Sequence, residues 1–169
     1  MSAVKFKLTK NTKTVLGRVF YQIEAVASFG SVVSGDLGGW VEKENNLSQS
    51  GNAWVYGDAR VSGDARVSGN ARVSGNAWVS GDAWVSGDAR VCGDARVYGN
   101  AEVFWVSNVG SENGTLTAAK TATGIFVSRG CFSGSLDEFE AAVADTHAGS
   151  PIETEYNILI SFIKARLGK

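Results

Sequence analysis

From Val55 to Val103 a valine falls on every sixth residue, and between successive valines stands a Gly-(Asp/Asn)-Ala triad. The triads open at Gly51, Gly57, Gly63, Gly69, Gly75, Gly81, Gly87, Gly93 and Gly99. Each valine is preceded by arginine, tryptophan or glutamate and followed, in most repeats, by serine. Successive side chains of a strand point to opposite faces. In the unit Val61–Arg66, Val61 therefore points inward, and Arg60 and Ser62 point outward. Gly63-Asp64 makes a corner, because glycine and Asp/Asn tolerate the positive φ that a sharp turn needs. Ala65 is small and faces inward beside that corner. A helix is excluded: at about 3.6 residues per turn a period of six cannot keep one face apolar, and glycine in every unit destabilises it. Heptads are absent, which excludes a coiled coil.

The unit resembles the hexapeptide repeat of left-handed parallel β-helices, where an aliphatic and a small residue alternate as the inward positions. The resemblance implies three hexads to a triangular coil, with a hand that departs from the usual right-handed crossover. Residues eighteen apart then stack at about 4.8 Å. The outward residues sort into three columns: Trp54/Arg72/Arg90, Arg60/Trp78/Arg96 and Arg66/Trp84/Glu102. The corners give Asn52/Asn70/Asp88, Asp58/Asn76/Asp94 and Asp64/Asp82/Asn100. Asparagine in each column limits carboxylate repulsion and allows amide ladders. Gln49 stands where the first valine belongs.

The expected fold is mainly β. A left-handed parallel β-helix of hexapeptide repeats spans residues 49–105, after an N-terminal β cap over 1–48. A small C-terminal α+β module follows over 106–169. Caps are needed because open strand edges invite growth. In the first cap Val4–Leu8 alternates as a strand, Lys10–Lys13 reads as a turn, and Val15–Val26 as a strand pair broken near Gly17 or one long strand. Trp40 is expected to cover the coil interior as a lid. Val103–Val106 is expected to continue the sheet, with further strands at Thr115–Thr117 and Gly124–Val127. Ser135-Leu136-Asp137-Glu138 is a capping-box signature, and Ser150-Pro151-Ile152-Glu153 opens a second helix. Ile152, Tyr156, Leu159, Ile163 and Leu167 give that helix an apolar stripe.

Composition narrows the function classes. The chain has 169 residues, one proline, 21 glycines and a net charge of −1. No segment is basic enough for general nucleic-acid binding. No apolar run approaches the length a membrane span needs, and Met1–Lys5 has no secretory pattern. A cytoplasmic location in a bacterial host cell is expected. Cys92 and Cys131 form no disulfide framework, and one histidine with two distant cysteines makes no metal-ligand set. No cofactor motif stands out.

Catalysis has little to draw on. Hexapeptide solenoids are also the fold of acyltransferases, which generally place a histidine on the coil as general base. The coils here contain none; His147 follows the first C-terminal helix. Cys131 and His147 are the remaining nucleophile–base pair to consider. The corner carboxylates are accounted for as turn residues.

The runs Gly38-Gly39-Trp40-Val41 and Asn46-Leu47-Ser48-Gln49, followed by Gly51–Tyr56, resemble enterobacterial and bacteriophage hexapeptide-repeat proteins of transferase-like or polymer-forming label. The run Ser107–Thr117, with Arg129–Phe132 and Leu136–Phe139, is similar to a module common in phage proteins. The resemblance implies a phage or prophage origin and brings no activity with it. The expectation is a non-catalytic β-solenoid scaffold or binding protein, assembled as a symmetric homo-oligomer, a trimer. One alternative is a phage counter-defence protein that captures a host protein or a small anionic nucleotide signal; another is an acyltransferase. For a ligand, the column Arg60, Trp78 and Arg96 is the candidate site, because two arginines flank one indole there.

Overall fold

A computed structural model of the chain describes residues 4–97, 103–121 and 123–168. It opens with a hairpin of β1 (Phe6–Val15) and β2 (Arg18–Ala25). Leu16 and Gly17 close the hairpin with φ of 49° and 76°, the signs a two-residue type I′ turn requires. The turn is there and not at Lys10–Lys13, which lie inside β1. That strand absorbs its irregularity as a register shift between Leu8 and Thr12. β3 (Leu37–Val41) returns antiparallel to β2 and starts the solenoid.

Each outward–valine pair then forms a two-residue strand. In chain order these are β4 (Trp54–Val55), β5 (Arg60–Val61), β6 (Arg66–Val67), β7 (Arg72–Val73), β8 (Trp78–Val79), β9 (Trp84–Val85), β10 (Arg90–Val91) and β11 (Arg96–Val97). They stack in parallel into three walls: β4–β7–β10, β3–β5–β8–β11 and β6–β9. Arg60 pairs with Trp78 and Trp78 with Arg96, as the eighteen-residue spacing requires. The corner glycines pack nearly backbone to backbone. Gly69, at φ 69°, would bring an added Cβ within 2.9 Å of the Gly87 nitrogen.

The interior is a stack of valines and alanines, all buried. A fully buried valine contributes roughly 1.5 kcal/mol or more. The columns are Val41/Val61/Val79/Val97 and Val55/Val73/Val91, with Val67 over Val85. Leu47 bridges to Val67 and takes the inward place where the hexad count puts Gln49. The Gln49 side chain turns to β1 instead. Its Oε1 accepts from the Lys5 and Phe6 amides at 2.9 and 3.2 Å, and its Nε2 donates to the Phe6 carbonyl at 3.1 Å.

Side chains finish the wall edges. At the top of the first wall Lys5 Nζ donates to the Ala53 carbonyl at 2.9 Å. At its bottom the Arg90 amide donates to Thr117 Oγ1 at 2.9 Å. On the third wall Asn46 Nδ2 donates to the carbonyls of Gly63 and Ala65 at 3.0 and 2.9 Å. Each bond replaces one that a further rung would make, so these edge groups are not stranded.

Val103–Val106 does not continue the solenoid. It begins β12 (Val103–Val109), an edge of a separate antiparallel sheet with β13 (Gly114–Thr121), β14 (Gly124–Arg129) and β15 (Phe132–Ser135). One face of that sheet sends Ala119 and Phe126 into the solenoid core. The other, with Leu116, Ala118 and Val127, packs against α1 (Leu136–His147) and α2 (Pro151–Leu167). Ser135 and Glu138 form the capping box of α1. Ser150 caps α2, while the Glu153 carboxylate accepts from the Gly149 amide at 2.6 Å, one residue before the cap. Tyr156, Ile163 and Leu167 of the apolar stripe are buried, and Ile152 and Leu159 partly so.

Candidate functional site

The outward columns meet three different fates. On the first wall Trp54 is not outside at all: it is 1% exposed. Phe6 and Phe29 approach its indole edge-on, with centroids at 6.3 and 5.3 Å. An outward position faces solvent only where no other segment covers it, and here N-terminal residues do. Arg72 and Arg90 below it remain exposed.

The second wall carries Trp40, Arg60, Trp78 and Arg96 in register. Trp40 is therefore no lid; Val41 is its inward neighbour, and Trp40 heads the outward column. Lys13 Nζ sits 4.2 Å from the Trp40 ring centroid and 3.5 Å from Asp58 Oδ1. Burial pulls the Lys13 ammonium below its ordinary value, and Asp58 pushes back. The Arg60 guanidinium lies 5.0 Å from the Trp78 centroid, and Phe20 meets that indole edge-on at 6.3 Å. Trp78 Nε1 donates to Ser62 Oγ at 2.9 Å. Cation and indole thus alternate down the wall under the hairpin.

The structure brings Arg60 and Trp78 together, half-buried and in mutual contact. Arg60 Nε is buried and has no partner among the described residues. Arg96 is exposed and opens onto a different space. That space is a cleft of about 1020 Å³ between the solenoid base, the antiparallel sheet and α2, reaching Phe126, Ser135 and Lys164. The three residues are one column but not one pocket.

On the third wall Trp84 is 65% exposed. Its Nε1 donates to Ser68 Oγ at 3.1 Å, the same tether as Trp78 to Ser62. Among the described residues no ring and no cation covers its face. Arg66 is its register neighbour above; Glu102, expected below, and the corner residue Asn100 lie outside the described residues.

The corners form the amide ladders. Asn52 donates to Asn70 at 3.1 Å, Asn70 to Asp88 at 3.0 Å, and Asn76 to Asp94 at 3.0 Å. Lys43 bonds Asp64 at 2.7 Å and holds that carboxyl below its usual range. His147 packs its ring on Tyr156, centroids 5.7 Å apart, whereas Cys131 is exposed in the turn between β14 and β15. No hydrogen bond joins the two among the described residues. None of those residues cluster as three or more potential metal ligands, and no helix among them is long and apolar enough to cross a membrane.

Comparison with known proteins agrees with the wall's geometry. The model of the YdcK beta solenoid repeat matches the walls. The matches fall on residues 53–69, 59–73, 65–81, 71–87 and 89–103. Over 35 residues the chain is 46% identical to a protein named "Uncharacterized acetyltransferase YdcK" from Escherichia coli (strain K12). That match takes in 21% of this chain and 11% of the relative. The matched residues take in β4 to β11, and β3 and the N-terminal hairpin lie outside them. Lys5, Asn46 and Thr117, which finish the wall edges, lie outside them too. Lys5 and Thr117 escape sequence reading because each looks like an ordinary residue of an alternating strand.

Proposed function

We propose that this chain is a non-catalytic scaffold or binding protein that works as a symmetric homo-oligomer. The observation that supports it is how the corner groups and the second wall's outward groups are engaged within the chain. Corner amides and carboxylates bond one another, cations lie over indoles, and His147 sits in the helical layer away from the walls. A general base needs a free group near neutral pKa beside a substrate space. The relative's printed name makes acyl transfer the reading to test against. Titration with acetyl-CoA, followed by calorimetry and by release of free CoA, should show neither saturable binding nor turnover. Saturable binding at micromolar affinity would overturn the non-catalytic reading.

Capture of a small anionic ligand is a second reading, favoured by Arg96 at the mouth of its cleft. Native mass spectrometry of freshly purified protein should then find a co-purifying anion that Arg96→Ala loses. A spectrum free of any adduct would remove this reading.

A further inference from the structure

The same Arg–Trp–Ser unit occurs twice, in two conditions. On the second wall Trp78 is tethered to Ser62, its face covered by Arg60 at 5.0 Å and its edge by Phe20. On the third wall Trp84 is tethered to Ser68 in the same way, and its face is bare. The first wall's Trp54 is covered as well. Of the three tryptophans within the hexad repeats, Trp54 and Trp78 are covered with N-terminal rings taking part, and among the described residues nothing covers Trp84.

We infer that the bare third wall pairs with the third wall of a second copy about a two-fold axis, Arg66 of each chain covering Trp84 of the other. This rests on the oligomeric reading above and specifies its surface. Charge decides the orientation. An axis along the solenoid would set Arg66 against the partner's Arg66, which repels. An axis parallel to the strands inverts the rung order, so Arg66 meets the partner's Trp84. Asp82 lies two residues before Trp84 at the corner of the same rung, exposed and in no ion pair among the described residues. Among the described residues Arg66 forms no ion pair, and the Asp64 carboxylate whose charge it feels is already bonded to Lys43. Each Arg66 thus gains an indole and the partner's Asp82 carboxylate, twice over by symmetry.

The wall is self-complementary, as an isologous contact must be. A threefold ring would need two different surfaces on each chain; this one surface closes on itself as a dimer. The wall is only a few rungs tall at about 4.8 Å each, well short of the roughly 800 Å² per partner of a standard interface. The dimer is therefore expected to dissociate in the micromolar range.

Sedimentation velocity over a micromolar concentration series tests this. The wild type should shift from monomer to dimer. Trp84→Ser should raise the dissociation constant roughly tenfold or more, with an unchanged melting temperature at concentrations low enough to keep both chains monomeric, because that side chain is exposed. Arg66→Asp and Asp82→Arg should each weaken the dimer, and the two together should restore it. A monomer at every concentration would overturn both this inference and the oligomeric reading. An oligomer that survives Trp84→Ser and both charge reversals would leave the oligomeric reading standing and overturn this surface.

Discussion

Lys5 donates from its ammonium to the backbone carbonyl of Ala53 at 2.9 Å, inside the protein, with the Phe29 ring centroid 5.0 Å away and, among the described residues, no carboxylate bonded to it. Burial lowers its pKa from 10.5 to about 8. The unfolded chain therefore holds this proton more tightly than the folded one, and the penalty is full below pH 8. It fades as pH rises toward 10.5, so this residue makes folding more favourable across that window, by up to about 3 kcal/mol. Other groups titrate there too. The measurement is the difference in melting temperature between wild type and Lys5→Met against pH. That difference should move in favour of the wild type from pH 8 to 10.5; a flat difference would mean that Lys5 is not desolvated.

Val73 is fully buried in the middle of the first wall, between Val55 and Val91. Val73→Asp puts an unpaired carboxylate into an interior made only of methyl groups. The expected cost is at least about 4 kcal/mol, and the cooperative thermal transition should be lost. Arg72→Asp, one residue away but outward, should melt within a few degrees of wild type. Comparable melting of the two variants would mean that the register is wrong.

Arg60 and Trp78 should be energetically coupled, and Arg66 and Trp84 within one monomer should not. A double-mutant cycle with Arg60→Met and Trp78→Leu should give about 0.5–1 kcal/mol of coupling by chemical denaturation. The matching cycle at Arg66 and Trp84, run at concentrations low enough to keep the chain monomeric, should give a value near zero. Equal coupling in both cycles would remove the distinction between the covered and the bare indole.

Ser135 Oγ accepts from the Glu138 amide at 3.2 Å, and the Glu138 carboxylate accepts from the Ser135 amide at 2.7 Å. The Ser135 amide, and next the Ser135 hydroxyl donating to the same carboxylate at 2.8 Å, hold the Glu138 carboxyl below its usual range, so the box persists as pH falls until that depressed pKa is passed. Ser135→Ala should cost about 1 kcal/mol at neutral pH. Far-ultraviolet circular dichroism on melting would show it as early loss of helix signal; an unchanged melt would argue against the cap.

The walls were legible because one rule is written again and again: a valine out of register would have broken the sequence pattern visibly. The helices were legible from Ser135 and Ser150, since a cap has a local signature. The covering of the walls was not. Whether an outward tryptophan is buried depends on where the N-terminal chain folds, and Trp54 and Trp84 occupy equivalent places in the repeat. Trp40 misled for a related reason: it is the residue before an inward valine, as every later outward residue is, yet it lies ahead of the perfect triads. Of the candidate ligand column, contact between Arg60 and Trp78 follows from stacking, whereas Arg96, the next in register, lines a cleft formed by the antiparallel sheet and α2, which the repeat does not encode.

The first wall ends above on Lys5 and below on Thr117, and these two residues come from segments on either side of the repeats. The two ends must therefore keep one rotational phase. Removing a single hexad would swing everything after it by a third of a turn and present Thr117 to the wrong wall. Removing or duplicating a whole stacking interval of 18 residues would leave both ends correctly facing. Length in this protein comes in whole turns, like a screw whose head and nut are cut to the same thread, and viable variants in repeat number should differ by multiples of three hexads.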